Sequence, residues 1–314
     1  MNKKLSIIVP YLNETKEDVI NTINSVNENI DPDLTEIIAI DDKSDIKIDL
    51  SNYKNVRQFR NKERKGVDWC RQMGGEIAKT PYLLILDAHM VLARNNWLEI
   101  IEDCLKREPK SIFCTTCVGL GYGTMDLSKH KGKYYGADIL LLDPTAPKSR
   151  ESRECLEPKW RNKEDKIEYQ IPCVLGANYY LTKEWFDYIH GFKGLCMWGS
   201  SEILVSLKSW MAGGQCKIRT DLELGHKFRS NSPFSTGIHY LYFNKAYICE
   251  VLNFPKELKE KILGSLPQNI NYKNAMKLIE ENKEEINKEK EYYKGIMKYD
   301  ICEVCKKLNI EIPE

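Results

Sequence analysis

Short apolar runs alternate with helix-length amphipathic stretches through the first 120 positions of the chain. Residues 5–10 (Leu-Ser-Ile-Ile-Val-Pro), 36–40, 56–60, 82–86 and 111–118 read as strands. The continuous apolar runs at 5–10 and 82–86 suit strands buried on both faces. Between the strands, three sets recur at helical spacing: Val19, Ile20, Ile23 and Val26; then Val67, Cys70, Met73 and Ile77; then Leu98, Ile101 and Leu105. This alternation predicts an α/β fold with a Rossmann-like, mostly parallel mixed sheet flanked by helices.

Beyond position 120 the pattern loosens. Residues 124–170 are polar, carry Pro144, Pro147 and Pro158, and read as a long excursion over the active-site face with one strand at 137–142. A strand resumes from Pro172, and a helix is expected at 183–189. Ile203, Leu204, Leu207, Trp210 and Met211 form the apolar stripe of another helix, stopped by Gly213-Gly214. After 231, an aromatic stretch (Tyr240, Tyr242, Phe243, Tyr247) gives way to Lys- and Glu-rich helix. The expected organisation is a main domain over 1–230 and a helical C-terminal extension over 231–314. Ile279, Ile286 and Tyr293 fall seven apart. That stripe either packs on the main domain or pairs two copies in a homo-oligomer.

Composition narrows the function classes. The 314 residues are 42% hydrophobic and 30% charged, with a formal net charge of +1. This balance makes no global electrostatic case for nucleic acid or anionic membrane. Met1-Asn2-Lys3-Lys4 leads into a strand and not into a signal-peptide hydrophobic region, and no apolar stretch is long enough to span a membrane. A cytoplasmic protein is expected. Its eleven cysteines should then be reduced and mostly buried. Cys114/Cys117 and Cys302/Cys305 have Cys-x-x-Cys spacing but lie far apart, which argues against a structural zinc. No Gly-x-Gly-x-x-Gly follows the first strand, so a dinucleotide fingerprint is missing. Gly119-Leu120-Gly121-Tyr122-Gly123 reads as a flexible loop.

Candidate chemistry concentrates at the exit of the fourth strand, Tyr82-Leu83-Leu84-Ile85-Leu86-Asp87-Ala88-His89. In extended backbone, residues i and i+2 share a side. Asp87 and His89 therefore converge at the C-terminal edge of the sheet, where open α/β sheets bind ligands. A carboxylate and an imidazole suit Mn²⁺ or Mg²⁺, which would also hold a diphosphate. The plainer reading is a cap for the helix beginning at Asn95-Asn96-Trp97. His226, taken alone, reads as a buried structural histidine.

Five blocks in order over residues 5–230 resemble a family: Ser6-Ile7-Ile8-Val9-Pro10 with Asn13-Glu14; Ile40-Asp41-Asp42-x-Ser44; Leu86-Asp87-Ala88-His89; Trp198-Gly199-Ser200-Ser201-Glu202 with Trp210; and Gly225-His226-Lys227-Phe228-Arg229. Together they look like a GT-A glycosyltransferase of the family-two type. The Asp-x-His and Gly-His-x-Phe-Arg blocks are similar to those of the polypeptide N-acetylgalactosaminyltransferases.

The resemblance implies metal-dependent transfer of a sugar from a nucleotide diphosphate donor, a UDP-sugar foremost, to an acceptor. That acceptor would be a saccharide, a peptide side chain, a small molecule or a modified nucleobase. Asp87, His89 and His226 would hold the metal. Asp41 and Asp42 would read base and ribose, the alternative for them being an Asx turn or a cap. Pro10 and Tyr11 would lie against the base. Arg64, Arg71 and Arg229 would neutralise phosphate or organise the site. Gly176 and Ala177 would border the donor sugar, and Trp160, Trp185 or Trp198 would stack on sugar faces, Trp198 foremost.

Glu202 stands where inverting members carry the general base, and this favours an inverting mechanism. Retaining members have Asn there, preceded by Glu; here the preceding residue is Ser201. Capping is the plain alternative, with Ser200 as N-cap and Glu202 early in the helix. Two other functions remain in play. A nucleotidyltransferase would need a glycine-rich, basic loop where this chain has Tyr11-Leu12-Asn13-Glu14. A non-catalytic sugar-nucleotide- or carbohydrate-binding protein would have no need of Asp87, His89, His226 and Glu202 together.

Overall fold

The computed structural model describes residues 2–94, 96–121, 124–143, 155–229 and 235–313. Its first half follows the expected alternation: β1 (Leu5–Tyr11), α1 (Lys16–Asn29), β2 (Thr35–Asp41), β3 (Val56–Arg60), α2 (Val67–Ile77), β4 (Tyr82–Leu86), a short β5 (Met90–Leu92), α3 (Trp97–Arg107) and β6 (Ser111–Leu120). Next come β7 (His130–Tyr134), β8 (Ala137–Leu142), β9 (Cys155–Trp160), β10 (Glu168–Gln170), β11 (Asn178–Thr182), α4 (Lys183–Tyr188), α5 (Ser201–Met211) and β12 (Gln215–His226). Five helices close the chain: α6 (Ile238–Val251), α7 (Lys256–Gly264), α8 (Ile270–Glu281), α9 (Lys283–Ile296) and α10 (Ile301–Leu308).

The main sheet has the order β10-β12-β6-β11-β4-β1-β2-β3, with β5 added against β12 and β7 against β6. β12, β6, β4, β1, β2 and β3 run in one direction, and β11 runs against them between β6 and β4. Side-chain alternation sends the apolar runs into two layers. Leu5, Ile7 and Val9 pack with Val19, Ile23 and Val26 of α1 and with Ile101 and Leu105 of α3. Ile8, Ile38 and Ile40 face Cys70 of α2 and the large cluster built by α4, α5 and α6. Ile203, Leu204, Leu207 and Trp210 of α5 are wholly or almost wholly buried there. Each such side chain contributes on the order of 2 kcal/mol.

Several expectations change at this level. The excursion at 124–170 holds more than one strand: β7 pairs with β6, β8 with β9 as a separate ribbon, and β10 with β12. Lys and Glu in these strands obscured the two-residue period. The strand expected from Pro172 begins at Asn178. The seven-residue stripe does not lie on one helix, because Asn282 separates α8 from α9. Ile286 and Tyr293 are buried and Ile279 packs on the same cluster, so the stripe faces its own domain.

Nor is the tail a detached layer. Tyr242, Phe243, Tyr247 and Ile248 of α6 belong to the main cluster. The boundary expected at 230/231 falls outside the described residues, as do Pro144, Pro147 and part of the glycine-rich loop. All eleven cysteines are free thiols, most of them buried. No helix among the described residues is long and apolar enough to cross a membrane.

Candidate active site

The parallel strands end together, and their C-terminal edge carries the site. β1 ends at Tyr11, β2 at Asp41, β4 just before Asp87, and β12 at His226. β11 runs the other way, so its start brings Gly176 and Ala177 to the same edge, with Asn178 opposite Leu86. The short β5 completes the arrangement. Met90 pairs with His226, and the Lys227 N–H donates to the His89 carbonyl at 3.2 Å. Residues 137 apart in the chain thus meet side by side.

Asp87 divides its two oxygens. Oδ1 accepts from Arg71 at 2.9 Å. Oδ2 lies 3.7 Å from His226 Nε2 and 4.0 Å from His89 Nε2, and the two Nε2 atoms are 3.2 Å apart. A point equidistant from these three atoms lies about 2.1 Å from each, the length of a divalent cation's bond to nitrogen or oxygen. The donor set therefore fits a metal ion. It is the one group of three or more potential metal ligands among the described residues.

The charge states suit it. Burial opposes ionisation of Asp87, but the hydrogen bond with His226 and the Arg71 charge outweigh it and hold the carboxyl well below its usual range. Burial pushes the His226 imidazole below its ordinary value, with Asp87 opposing, so it is neutral and able to ligate. On its far side, His89 Nδ1 faces Glu14 at 3.5 Å and Arg229 at 2.8 Å, and Arg229 is ion-paired with Glu14. Such partners on the second nitrogen orient a ligating imidazole.

Behind Asp87 runs a buried network. Arg71 of α2 bonds Asp68 at 3.3 Å and the Ser201 hydroxyl at 3.2 Å, and Ser201 bonds Asp68. Burial lowers the tendency of Arg71 to stay charged, but Asp87 foremost, with Asp68 and Glu202, more than offsets this. Asp68 pays for its burial with a pKa raised to about 7. Tyr179 donates to Glu202 Oε1 at 2.5 Å, and burial together with the Glu202 charge keeps that phenol protonated.

Two neighbouring cavities share this floor. The first, about 320 Å³, is lined by Pro10, Tyr11, Asp42, Arg64, Arg229 and Trp198 around the Asp87–His89–His226 cluster. The second, about 270 Å³, holds Glu202, Gly176, Ala177, Trp160, Phe228 and Lys245, with Trp198, Asp87 and His226 common to both. Gly66 supports the wall of the first. Its φ is +96°, and a Cβ there would sit 2.2 Å from Met197 Cα, so only glycine fits.

Most expected residues come together here, and four readings change. Asp41 does not line the cleft: it is fully buried, ion-paired with Arg60, and accepts from the Ser44 N–H at 2.7 Å. Asp42 lines the cleft, yet its oxygens accept from the Lys65 and Gly66 N–H groups at 2.8 and 2.7 Å, so it also ties down the turn before α2. Ser200 occupies the N-cap position of α5 in a left-handed conformation, without a capping hydrogen bond. Trp185 is buried in the core, stacked on Tyr188, and far from sugar-binding duty. The sequence reading assigned no role to Asp68, Tyr179, Glu14 or Lys245. Only Glu14 had a local signal, its place in the first block.

The family model described as "Glycosyl transferase family 2" matches residues 6–184, more than half of the chain. The chain belongs to that family. It is 28% identical over 257 residues to polypeptide N-acetylgalactosaminyltransferase 3 of Taeniopygia guttata, covering 78% of this chain and 41% of that protein. It is 28% identical over 240 residues to polypeptide N-acetylgalactosaminyltransferase 10 of Homo sapiens, covering 73% and 38%. The chain thus spans about two-fifths of the length of these relatives. Among solved structures, GalNAc-T7 with UDP, GalNAc and Mn²⁺ is similar with a TM-score of 0.64 and 21% identity, over 90% of this chain and 55% of that one. S. aureus TarS 1-349 in complex with UDP-GlcNAc has a TM-score of 0.53 and 14% identity, over 99% and 93%. These structural likenesses bear out the GT-A fold.

Proposed function

We propose that the chain is a metal-dependent glycosyltransferase that moves a sugar from a nucleotide diphosphate donor, a UDP-sugar foremost, to an acceptor hydroxyl. The observation that carries this reading is the convergence of Asp87 Oδ2, His89 Nε2 and His226 Nε2 at the floor of a cleft, with Arg71 holding the other Asp87 oxygen. Two imidazoles and one carboxylate suit Mn²⁺ better than Mg²⁺, which prefers oxygen shells. When bound, the cation supplies a Lewis acid that stabilises charge on the leaving diphosphate. The relatives named for N-acetylgalactosaminyl transfer and the neighbour crystallised with UDP and Mn²⁺ support the choice of donor.

The protein's own residues do the rest. Pro10, Tyr11 and Asp42 border the end of the cleft that receives the nucleoside, and Arg64 and Arg229 lie on its wall as cations for phosphate. Glu202 stands in the adjoining cavity with Oε1 fixed by Tyr179. It takes the acceptor hydroxyl proton as the new C1–O bond forms and the C1–O bond to diphosphate breaks. Attack from that side inverts the anomeric carbon. The test is incubation with UDP-sugars and Mn²⁺, with and without EDTA, and NMR of the anomeric proton in the product. The expected result is transfer lost with EDTA and a product of opposite configuration to the donor. Transfer that survives complete metal removal contradicts the metal reading, and retention of configuration contradicts the base assigned to Glu202.

A further inference from the structure

His226, Phe228 and Trp160 line the second cavity, and Tyr134 behind them links Phe228 to Trp160 in a connected series of rings. His226 packs edge-on to Phe228 with centroids 4.3 Å apart, Phe228 packs edge-on to Tyr134 at 5.9 Å, and Tyr134 leans on Trp160 at 4.8 Å. Trp198 lines the same cavity. Trp198 and Phe228 are 44% and 37% exposed, although both are large apolar side chains. Two such surfaces held open around one cavity mark a binding surface better than they serve the fold.

The polar groups of the cavity are acidic or already neutralised. Glu202 and Glu157 contribute carboxylates. The lining cations are each paired: Arg71 with Asp68 and Asp87, and Lys245 with Glu157 at 2.7 Å and with the Cys155 carbonyl. Three lining carboxylates, Asp87, Glu157 and Glu202, face two lining cations, Arg71 and Lys245, a balance that disfavours a phosphate-bearing acceptor. A pyranose has one apolar face that packs flat on an aromatic ring, and hydroxyl groups that donate to carboxylates. The size fits as well, since about 270 Å³ accommodates one or two sugar rings.

We infer that the acceptor bound in this cavity is a neutral saccharide, its ring stacked on Trp160 and its hydroxyls read by Glu157 and Glu202. Helix α6 takes part, because it supplies Leu241 and the Lys245 that holds Glu157 in place. Of the C-terminal helices, α6 is thereby part of acceptor recognition. This inference rests on the donor reading above for the direction of transfer, but the cavity's ligand class can be scored independently.

The test is titration of intrinsic tryptophan fluorescence in the full chain, in the presence of UDP and Mn²⁺ and in their absence. The probes are neutral di- to tetrasaccharides of glucose, galactose and N-acetylglucosamine, then Ser/Thr peptides, then a hydroxymethylpyrimidine oligonucleotide. The expected result is saturable binding of at least one saccharide, weakened at least about ten-fold in Trp160→Ala and restored in part in Trp160→Phe. Equal saccharide binding by wild type and Trp160→Ala overturns the proposal, as does binding of peptide or oligonucleotide with no saccharide bound. If Trp160→Ala does not fold, Glu157→Gln replaces it, with weakened saccharide binding expected and unchanged binding overturning. Failure of UDP to bind in the parallel calorimetric titration would strike the donor reading and leave the saccharide result standing.

Discussion

The two cavities that meet over Asp87 and His226 are built from different chemistry. The proposed donor cleft is ionic and constrained: the Asp87–His89–His226 triad, Arg71 on Asp87, Glu14 between His89 and Arg229, and Asp42 tied to two backbone N–H groups. Its neighbour is aromatic, with Trp198, Phe228 and Trp160 presented from loops and from the β8–β9 ribbon. The first suits a ligand whose charge is invariant, because pre-set dipoles and charges work best on a fixed target. The second suits a ligand recognised by shape and stacking, and it draws on segments that vary freely without disturbing the sheet.

The largest effect expected from breaking this division is on the donor side, where Asp87→Ala should lower transfer by at least about a thousand-fold, read in a steady-state assay. It removes a proposed ligand and leaves Arg71 with Asp68 and Ser201. Next comes Glu202→Gln, expected to cost about 10²–10⁴ in kcat while the affinity for UDP in calorimetry stays within about two-fold. If Glu202→Gln weakens UDP binding as much as it slows transfer, the two cavities are not separate in function. Gly66→Ala strikes the wall of the first cavity alone. The strained φ and the Met197 clash should cost about 3 kcal/mol in urea unfolding, and an unchanged midpoint would show that the wall yields.

The smallest effect lies outside both cavities. Lys208 of α5 is buried beneath α9, with its ammonium donating to the Gly191 carbonyl at 3.0 Å and set over the Tyr293 ring. Burial lowers its pKa to about 7, Glu289 opposing and Lys193 assisting. The unfolded chain, near the ordinary 10.5, then binds more protons than the folded one between those values. Stability should therefore rise as pH goes from about 7 towards 10 through this group, and Lys208→Met should flatten that rise in urea midpoints taken across the range. A slope unaltered by Lys208→Met would contradict the assignment.

The contrast between the cavities also explains what could be read in the chain. Asp87 and His89 stood out because the apolar run fixes the strand end that they follow; the chain bends at Ala88 and His89 before β5, and the two side chains still converge. His226 and Arg229 were legible through a block of neighbours at another strand end. Asp41 misled because it and Asp42 are chemically alike, and only the pairing of β2 with β3 turns Asp41 towards Arg60. Asp68, Tyr179 and Lys245 left no local mark. Each acts through a partner far along the chain, such as Lys245 on Glu157, and no spacing records that contact. Apart from β8, the strands of the 124–170 segment were hidden for a related reason. Their charged and aromatic residues face a cavity or solvent, which erases the alternation that marks a half-buried strand.

The central claim is that Asp87, His89 and His226 hold a cation that binds the donor's diphosphate. It is tested most directly by calorimetric titration of UDP into the wild-type chain and into Asp87→Ala, each with and without Mn²⁺. The account predicts binding to the wild type that requires Mn²⁺ and disappears in Asp87→Ala. UDP binding of equal strength without metal, or retained by Asp87→Ala in its presence, would contradict it.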